Sequence, residues 1–211
     1  MWYPILITVL SCYLLGNLNG SVCVSSLIAH DDVRSHGSGN AGLTNFIRNF
    51  GRGSAVLVAL IDIGKTVVAC LLGGLLLQPY DLQKEGMMLG AVAVSVGHDF
   101  PALLGFKGGK GILCGVSVAA VIDWRIMLVL LAVFLICYLL TNLVSLGSVL
   151  AAVAFILCFL LMHCQTPWVA AGGVFLGLLA LFMHRQNIVR LIKGTESKSK
   201  LFGFRKKKQE E

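Results

Sequence analysis

Apolar residues fill long runs of this chain, and the polar positions collect in a few short segments between them. The runs Ile126–Leu140, Leu146–Met162 and Trp168–Met183 approach the ~20 residues that a membrane-spanning helix needs. In hydrocarbon a backbone must satisfy its own hydrogen bonds, so runs of this length predict helices rather than barrel strands. About seven transmembrane helices are expected, over 4–29, 54–77, 85–98, 111–123, 125–143, 146–163 and 168–184. The third and fourth, at roughly 14 residues, are short for a bilayer and would be partial spans or sit where the membrane is thin. An alternative with five spans makes 85–123 re-entrant. The fold class is all-α: a single polytopic membrane helical bundle over 1–211, with a basic tail at 185–211 and no linker that suggests a second domain.

Composition agrees. Of 211 residues, 57% are hydrophobic and 13% charged, about half the ~25% charged content of a soluble domain. The first charged residue is Asp31, so the first apolar run lacks the basic flank of a cleaved signal peptide and reads as a span. Basic residues gather in three places: Arg34, Arg48 and Arg52; Lys107 and Lys110; and nine from Arg185 to Lys208. The remaining segments hold only Lys65, Lys84 and Arg125. The positive-inside rule then places the first two loops and the tail in the cytoplasm, with the N-terminus outside and the C-terminus inside. Cysteines 12, 23, 70, 114, 137, 158 and 164 stand singly in or beside apolar runs, as small buried hydrophobes do.

The candidate chemistry lies in two glycine-rich segments. The first is Gly37-Ser38-Gly39-Asn40-Ala41-Gly42-Leu43-Thr44-Asn45-Phe46-Ile47-Arg48. The second is Gly97-His98-Asp99-Phe100-Pro101, followed by Phe106-Lys107-Gly108-Gly109-Lys110-Gly111. Clustered glycines let successive N–H groups turn toward one point, and a nearby cation supplies full charge, which together hold phosphate. Two such loops suggest two phosphorylated substrates, or one with two phosphates. In the first loop Thr44 or Asn45 is expected to cap a helix, and Arg48 offers a planar fork for phosphate. The second lacks Walker A spacing and a magnesium-binding hydroxyl, which argues against an ATPase.

Three further segments carry polar groups. Ser145 and Ser148 stand where an apolar helix meets the cytoplasm, as substrate contacts or as packing residues. His184, Asn187 and Arg190 recur at helical spacing ahead of Glu196, so one face presents imidazole, amide and cation. Asp62 and Lys65, inside the second span, are either functional or a self-neutralising pair. Arg205-Lys206-Lys207-Lys208 reads as a solvated or lipid-touching tail. The HxxxxD dyad and the GxSxG elbow are absent from the sequence, and His and Cys spacing gives no metal cluster.

In order and spacing these motifs resemble the bacterial acyl-phosphate:glycerol-3-phosphate acyltransferase family (PlsY family). The resemblance rests on Asp32-Val33-Arg34 with Gly37–Asn40, on Gly42-Leu43-Thr44-Asn45 and Arg48, on 97–101 with 106–111, on Val144–Ser148 and on His184–Glu196. Leu43 replaces a usual alanine, Leu113-Cys114 replace Ala-Thr, and the 17–21 segment lacks the family's proline. The resemblance implies transfer of a fatty acyl group from acyl phosphate to the 1-hydroxyl of glycerol 3-phosphate, giving lysophosphatidic acid. It implies catalytic roles for Ser38, Arg48, Lys107, His184 and Asn187. Gly39, Asn40, Thr44, Asn45, His98, Gly108, Gly109, Lys110, Gly111, Ser145, Ser148 and Glu196 would bind substrate. No cofactor, metal, nucleic acid or obligate protein partner is expected, only the two substrates and membrane lipid. The location expected is the bacterial inner membrane. A transporter of a phosphorylated metabolite is the competing class, but it predicts polar residues through the full depth and internal repeats.

Overall fold

The computed structural model describes residues 2–198, and every element among them is helical. The chain runs through α1 (Trp2–Gly16), α2 (Gly20–Ala29), α3 (Leu43–Phe50), α4 (Ala55–Leu77) and α5 (Gln83–Asp99). It continues through α6 (Ile112–Ile122), α7 (Trp124–Thr141), α8 (Val144–Met162), α9 (Pro167–Met183) and α10 (Arg185–Ile192). Five segments are long and apolar enough to cross a bilayer, or six if α9 and α10 form one span broken by a 58° bend. The expected count of about seven is not reached, because the predicted fourth span is only the 11-residue α6. At 1.5 Å per residue it covers about 17 Å, short of the ~30 Å hydrocarbon layer. The terminal basic run 205–208 lies outside the described residues.

The predicted span 4–29 is interrupted. Asn17-Leu18-Asn19 separates α1 from α2, and Asn19 starts the second helix by accepting a hydrogen bond from the Val22 N–H at 3.1 Å. Asn17 Oδ1 accepts from the Leu103 N–H at 3.0 Å, and Asn19 Nδ2 donates to the Ala41 carbonyl at 3.0 Å. The break therefore ties α1 and α2 to both glycine-rich loops.

Small residues hold the first half of the bundle together. Gly16 of α1 backs onto Gly97 of α5, and Gly73 and Ala69 of α4 back onto Gly86 and Gly90 of α5. A Cβ at Gly90 would collide with the Ala69 carbonyl. Such close approach is how helices associate where lipid removes a hydrophobic driving force between them. The second half uses larger side chains, with Val118, Ile126, Leu130, Phe155, Phe159, Val169 and Leu176 buried together. Leu27, Leu140 and Leu161 are among the large apolar side chains that face outward.

The two ends differ in chemistry. At one, Tyr3 meets Tyr80, while Asp123 pairs with Arg125 at 2.7 Å and approaches His163 at 3.7 Å. The other gathers the α1–α2 break, the loops before α3 and α6, the start of α8 and the α9–α10 bend.

Candidate active site

Asn45 builds the first loop. Its side chain is buried in the first turn of α3, where the two N–H bonds of Nδ2 are shared among the Val33, His36 and Asn40 carbonyls, each 3.0 Å away. Its Oδ1 accepts from the Ser38 N–H at 3.1 Å. Gly37 and Gly39 lie at φ 57° and 69°, left-handed backbone that glycine adopts freely, and so complete a tight coil around the amide. The helix cap is Gly42, which has no side chain to offer, so neither Thr44 nor Asn45 caps α3 as expected. Arg34 pairs with Asp32 at 2.7 Å and donates to the Leu104 carbonyl at 2.8 Å, docking this loop on the next.

Gly108 and Gly109 lie against the end of α5. A Cβ on Gly108 would strike the His98 carbonyl, and one on Gly109 would strike the His98 ring. Gly109→Ala is therefore expected to displace the loop and cost about 100-fold in kcat/KM, read by steady-state kinetics. Gly53→Ala, where a Cβ meets open space, is the comparison expected to stay within about twofold.

A third cluster hangs on the α9–α10 bend. His184 Nδ1 donates to the Ala180 carbonyl at 2.8 Å, which leaves Nε2 as the unprotonated nitrogen. Lys110 Nζ donates to Asn187 Oδ1 at 2.5 Å, and Asn187 Nδ2 donates to Glu196 Oε1 at 2.9 Å. Arg190 closes the chain on Glu196 Oε2 at 2.7 Å. Burial works to raise the Glu196 carboxyl, but hydrogen bonds from Arg190 and Asn187 outweigh it and hold the group below its usual range. Ser145 Oγ is buried beside that carboxylate without a well-aligned hydrogen bond.

These clusters surround one cavity of about 730 Å³. Ser38, Asn40, Thr44, Arg48, Lys110, Ser145, His184, Asn187 and Arg190 line its polar end; Leu113, Val116, Leu130, Leu131 and Phe134 line an apolar side. Residues from the first turns of α3, α6 and α8 reach the same wall, and none of these three helices has a side-chain cap. Three helix starts thus turn unpaired N–H groups and positive dipole ends toward one space. Arg48 has no hydrogen bond or ion pair among the described residues, so its fork stays open to a ligand.

Burial, with Arg190 and Arg48 nearby, lowers the Lys110 ammonium to about 8 against the opposing pull of Glu196. The charged form is therefore present below that pH and lost above it. If anion binding needs that charge, kcat/KM falls as pH rises through about 8. Lys110→Arg, charged to beyond pH ~12, should move that falling limb upward in a pH–rate profile.

Most of the expected site residues meet at this cavity, including His98, Asn45, Gly111, Ser148 and Glu196. Lys107 does not: its side chain is exposed and off the cavity wall, and Lys110 is the lysine that faces inward. Gly39, Gly108 and Gly109 also stand behind the wall and shape it. Asp62 and Arg190 do reach the wall. Helical spacing from His184 and Asn187 signals Arg190, whereas only the fold brings Asp62 there.

A model of the glycerol-3-phosphate acyltransferase family matches residues 6–194. This chain belongs to that family. Glycerol-3-phosphate acyltransferases from Thermoanaerobacter sp. strain X514 and Neisseria meningitidis serogroup C are both 37% identical to it. The first match covers 91% of this chain and 94% of the relative, and the second 88% and 92%. Crystal structures of the integral membrane glycerol 3-phosphate acyltransferase PlsY have the same fold. Its glycerol 3-phosphate form has TM-score 0.83 at 30% identity, covering 92% of this chain and 95% of that one. Its lysophosphatidic acid form has TM-score 0.77 at 28% identity, covering 92% and 94%. Leu43 and Leu113, two of the departures noted in the sequence, both lie on the cavity wall.

Proposed function

We propose that this protein transfers a fatty acyl group from acyl phosphate to the sn-1 hydroxyl of glycerol 3-phosphate, releasing lysophosphatidic acid and inorganic phosphate. The observation that carries this reading is a single cavity whose polar end joins three uncapped helix starts to Arg48, Lys110 and Arg190, and whose other side is apolar. Phosphate groups match the first part and a fatty chain the second. The family's named substrate and the lysophosphatidic acid form of PlsY agree with acceptor and product. The proposed setting is the bacterial inner membrane with the cavity toward the cytoplasm. This orientation is supported by the crowding of Arg34, Arg48, Arg52, Lys107, Lys110 and the α10 cations at one end of the bundle.

Ser38, Asn40 and Arg48 hold the acyl phosphate, and Lys110, the lysine of its loop that faces the cavity, stands between the two phosphates. Ser145, His184 and Asn187 orient glycerol 3-phosphate. The acceptor oxygen attacks the acyl carbon, and the bond to phosphate breaks with its electrons leaving on phosphate. Phosphate is already a good leaving group, so orientation and charge stabilisation carry most of the rate.

The hydroxyl proton goes to His184 Nε2 or to an oxygen of the departing phosphate. His184→Ala decides between them. A fall in kcat of about 10² or more assigns the proton to the imidazole, and an unchanged kcat assigns it to the phosphate.

Direct transfer within one ternary complex predicts intersecting initial-velocity lines when both substrates are varied. Parallel lines, with labelled acyl-enzyme trapped at Ser38 in the absence of acceptor, would replace this scheme with a covalent one.

A further inference from the structure

A buried network around Lys65 is unused by the chemistry above, yet it ends at the cavity. Lys65 and Asp62 of α4 pair at 2.8 Å with side chains 2% and 3% exposed. Lys65 Nζ also lies 2.6 Å from the Leu18 carbonyl, 3.2 Å from the Gly16 carbonyl and 2.8 Å from His98 Nδ1. Asp62 Oδ1 additionally accepts from the Gly20 N–H at 3.1 Å. The α1–α2 break frees the helix carbonyls that receive the ammonium.

The proton count fixes the state of His98. An ammonium donates and cannot accept, so at 2.8 Å the imidazole Nδ1 must be the acceptor. Asp62 Oδ1, at 3.6 Å, is too far to take a proton from it. Nδ1 is then unprotonated, and the ring is neutral with its single N–H on Nε2, the atom that packs against Gly109. His184 has the opposite tautomer, with its proton on Nδ1.

We infer that Lys65 is a positioning residue that locks His98 as a neutral Nε2–H donor, aimed at a phosphate oxygen of the substrate in the cavity. His98 is on the cavity wall, and its ring fills the space left by Gly109. The Lys65–Asp62 pair carries no net charge, so it sets the tautomer without adding a cation to the site. This rests on the proposed substrates, but the tautomer itself does not.

The test is ¹⁵N NMR of the full-length protein in detergent micelles, labelled on the histidine rings, with the His98 signals assigned by their loss in His98→Gln. The expected result is an unprotonated Nδ1 and a protonated Nε2, both unchanged from about pH 6 to about pH 8.5, with Nε2–H shifting when glycerol 3-phosphate or inorganic phosphate is added. The neutral double variant Asp62→Asn/Lys65→Met should release the tautomer and raise the KM of a phosphorylated substrate about tenfold with kcat within about threefold. Asp62→Asn/Lys65→Gln, which restores a donor toward Nδ1, should recover most of that loss. A wild-type His98 protonated on Nδ1 or on both nitrogens overturns the inference, even where neither double variant folds. So does an unchanged KM in a variant whose tautomer has been released. A locked His98 in a protein that makes no lysophosphatidic acid would sink the proposed reaction and leave the tautomer standing.

Discussion

Arg48→Ala is expected to lower kcat/KM by about 10³-fold while leaving the protein folded. Arg48 sits on the exposed side of α3, within the polar end of the cavity, and spends none of its donors on a protein partner. Removing it therefore breaks nothing in the fold. What goes is a planar, permanently charged fork in a partly enclosed site, where one preorganised donor is worth about 10² to 10³ in rate and a charged one reaches the upper end. Arg48→Lys should recover only part of the loss, because a point charge replaces two parallel hydrogen bonds. Steady-state kinetics with both substrates checks this, alongside a thermal melt that should match the parent protein.

Asn45→Asp is expected to cost at least 100-fold in kcat/KM and, unlike Arg48→Ala, to lower thermal stability. The amide binds the loop by sharing its two N–H bonds among three carbonyls and accepting from the Ser38 backbone N–H and the Asn49 side chain. A carboxylate keeps the acceptor but sets negative charge against the carbonyls of Val33, His36 and Asn40. Leaving buried polar groups unmatched costs about 1–3 kcal/mol each, and more when a charge is involved. Asn45→Ala should lie between the parent and Asn45→Asp in a melting experiment. If Asn45 only touched substrate, both variants would bind more weakly and melt normally.

These two residues also show how far the sequence could be read. Arg48 was legible because a cation after a glycine-and-amide run suits phosphate wherever the loop goes. The work of Asn45 was not, since its partners are carbonyls that come together only once Gly37 and Gly39 have turned the chain. Lys107 and Lys110 are three residues apart with similar neighbours, and only the way the loop is laid over His98 sends the second inward. The long spans were legible because α4, α7 and α8 are apolar for about as long as the hydrocarbon is thick. The break at 17–19 was hidden by apolar residues on both sides. Its polar groups and freed carbonyls find partners far along the chain, in Ala41, Lys65 and Leu103. In α6, apolar composition says where a residue prefers to be, not how deep an 11-residue helix reaches. The uncapped starts at Gly42, Gly111 and Leu143 were in plain view as missing Ser, Thr, Asp or Asn. They gain meaning only from converging on one cavity.

The most direct test of the central claim is product formation by the purified protein in detergent, given labelled glycerol 3-phosphate with either palmitoyl phosphate or palmitoyl-CoA. Labelled lysophosphatidic acid is expected with palmitoyl phosphate, none with palmitoyl-CoA, and none above background for Arg48→Ala. Product from palmitoyl-CoA alone, or undiminished product from the Arg48 variant, would contradict it.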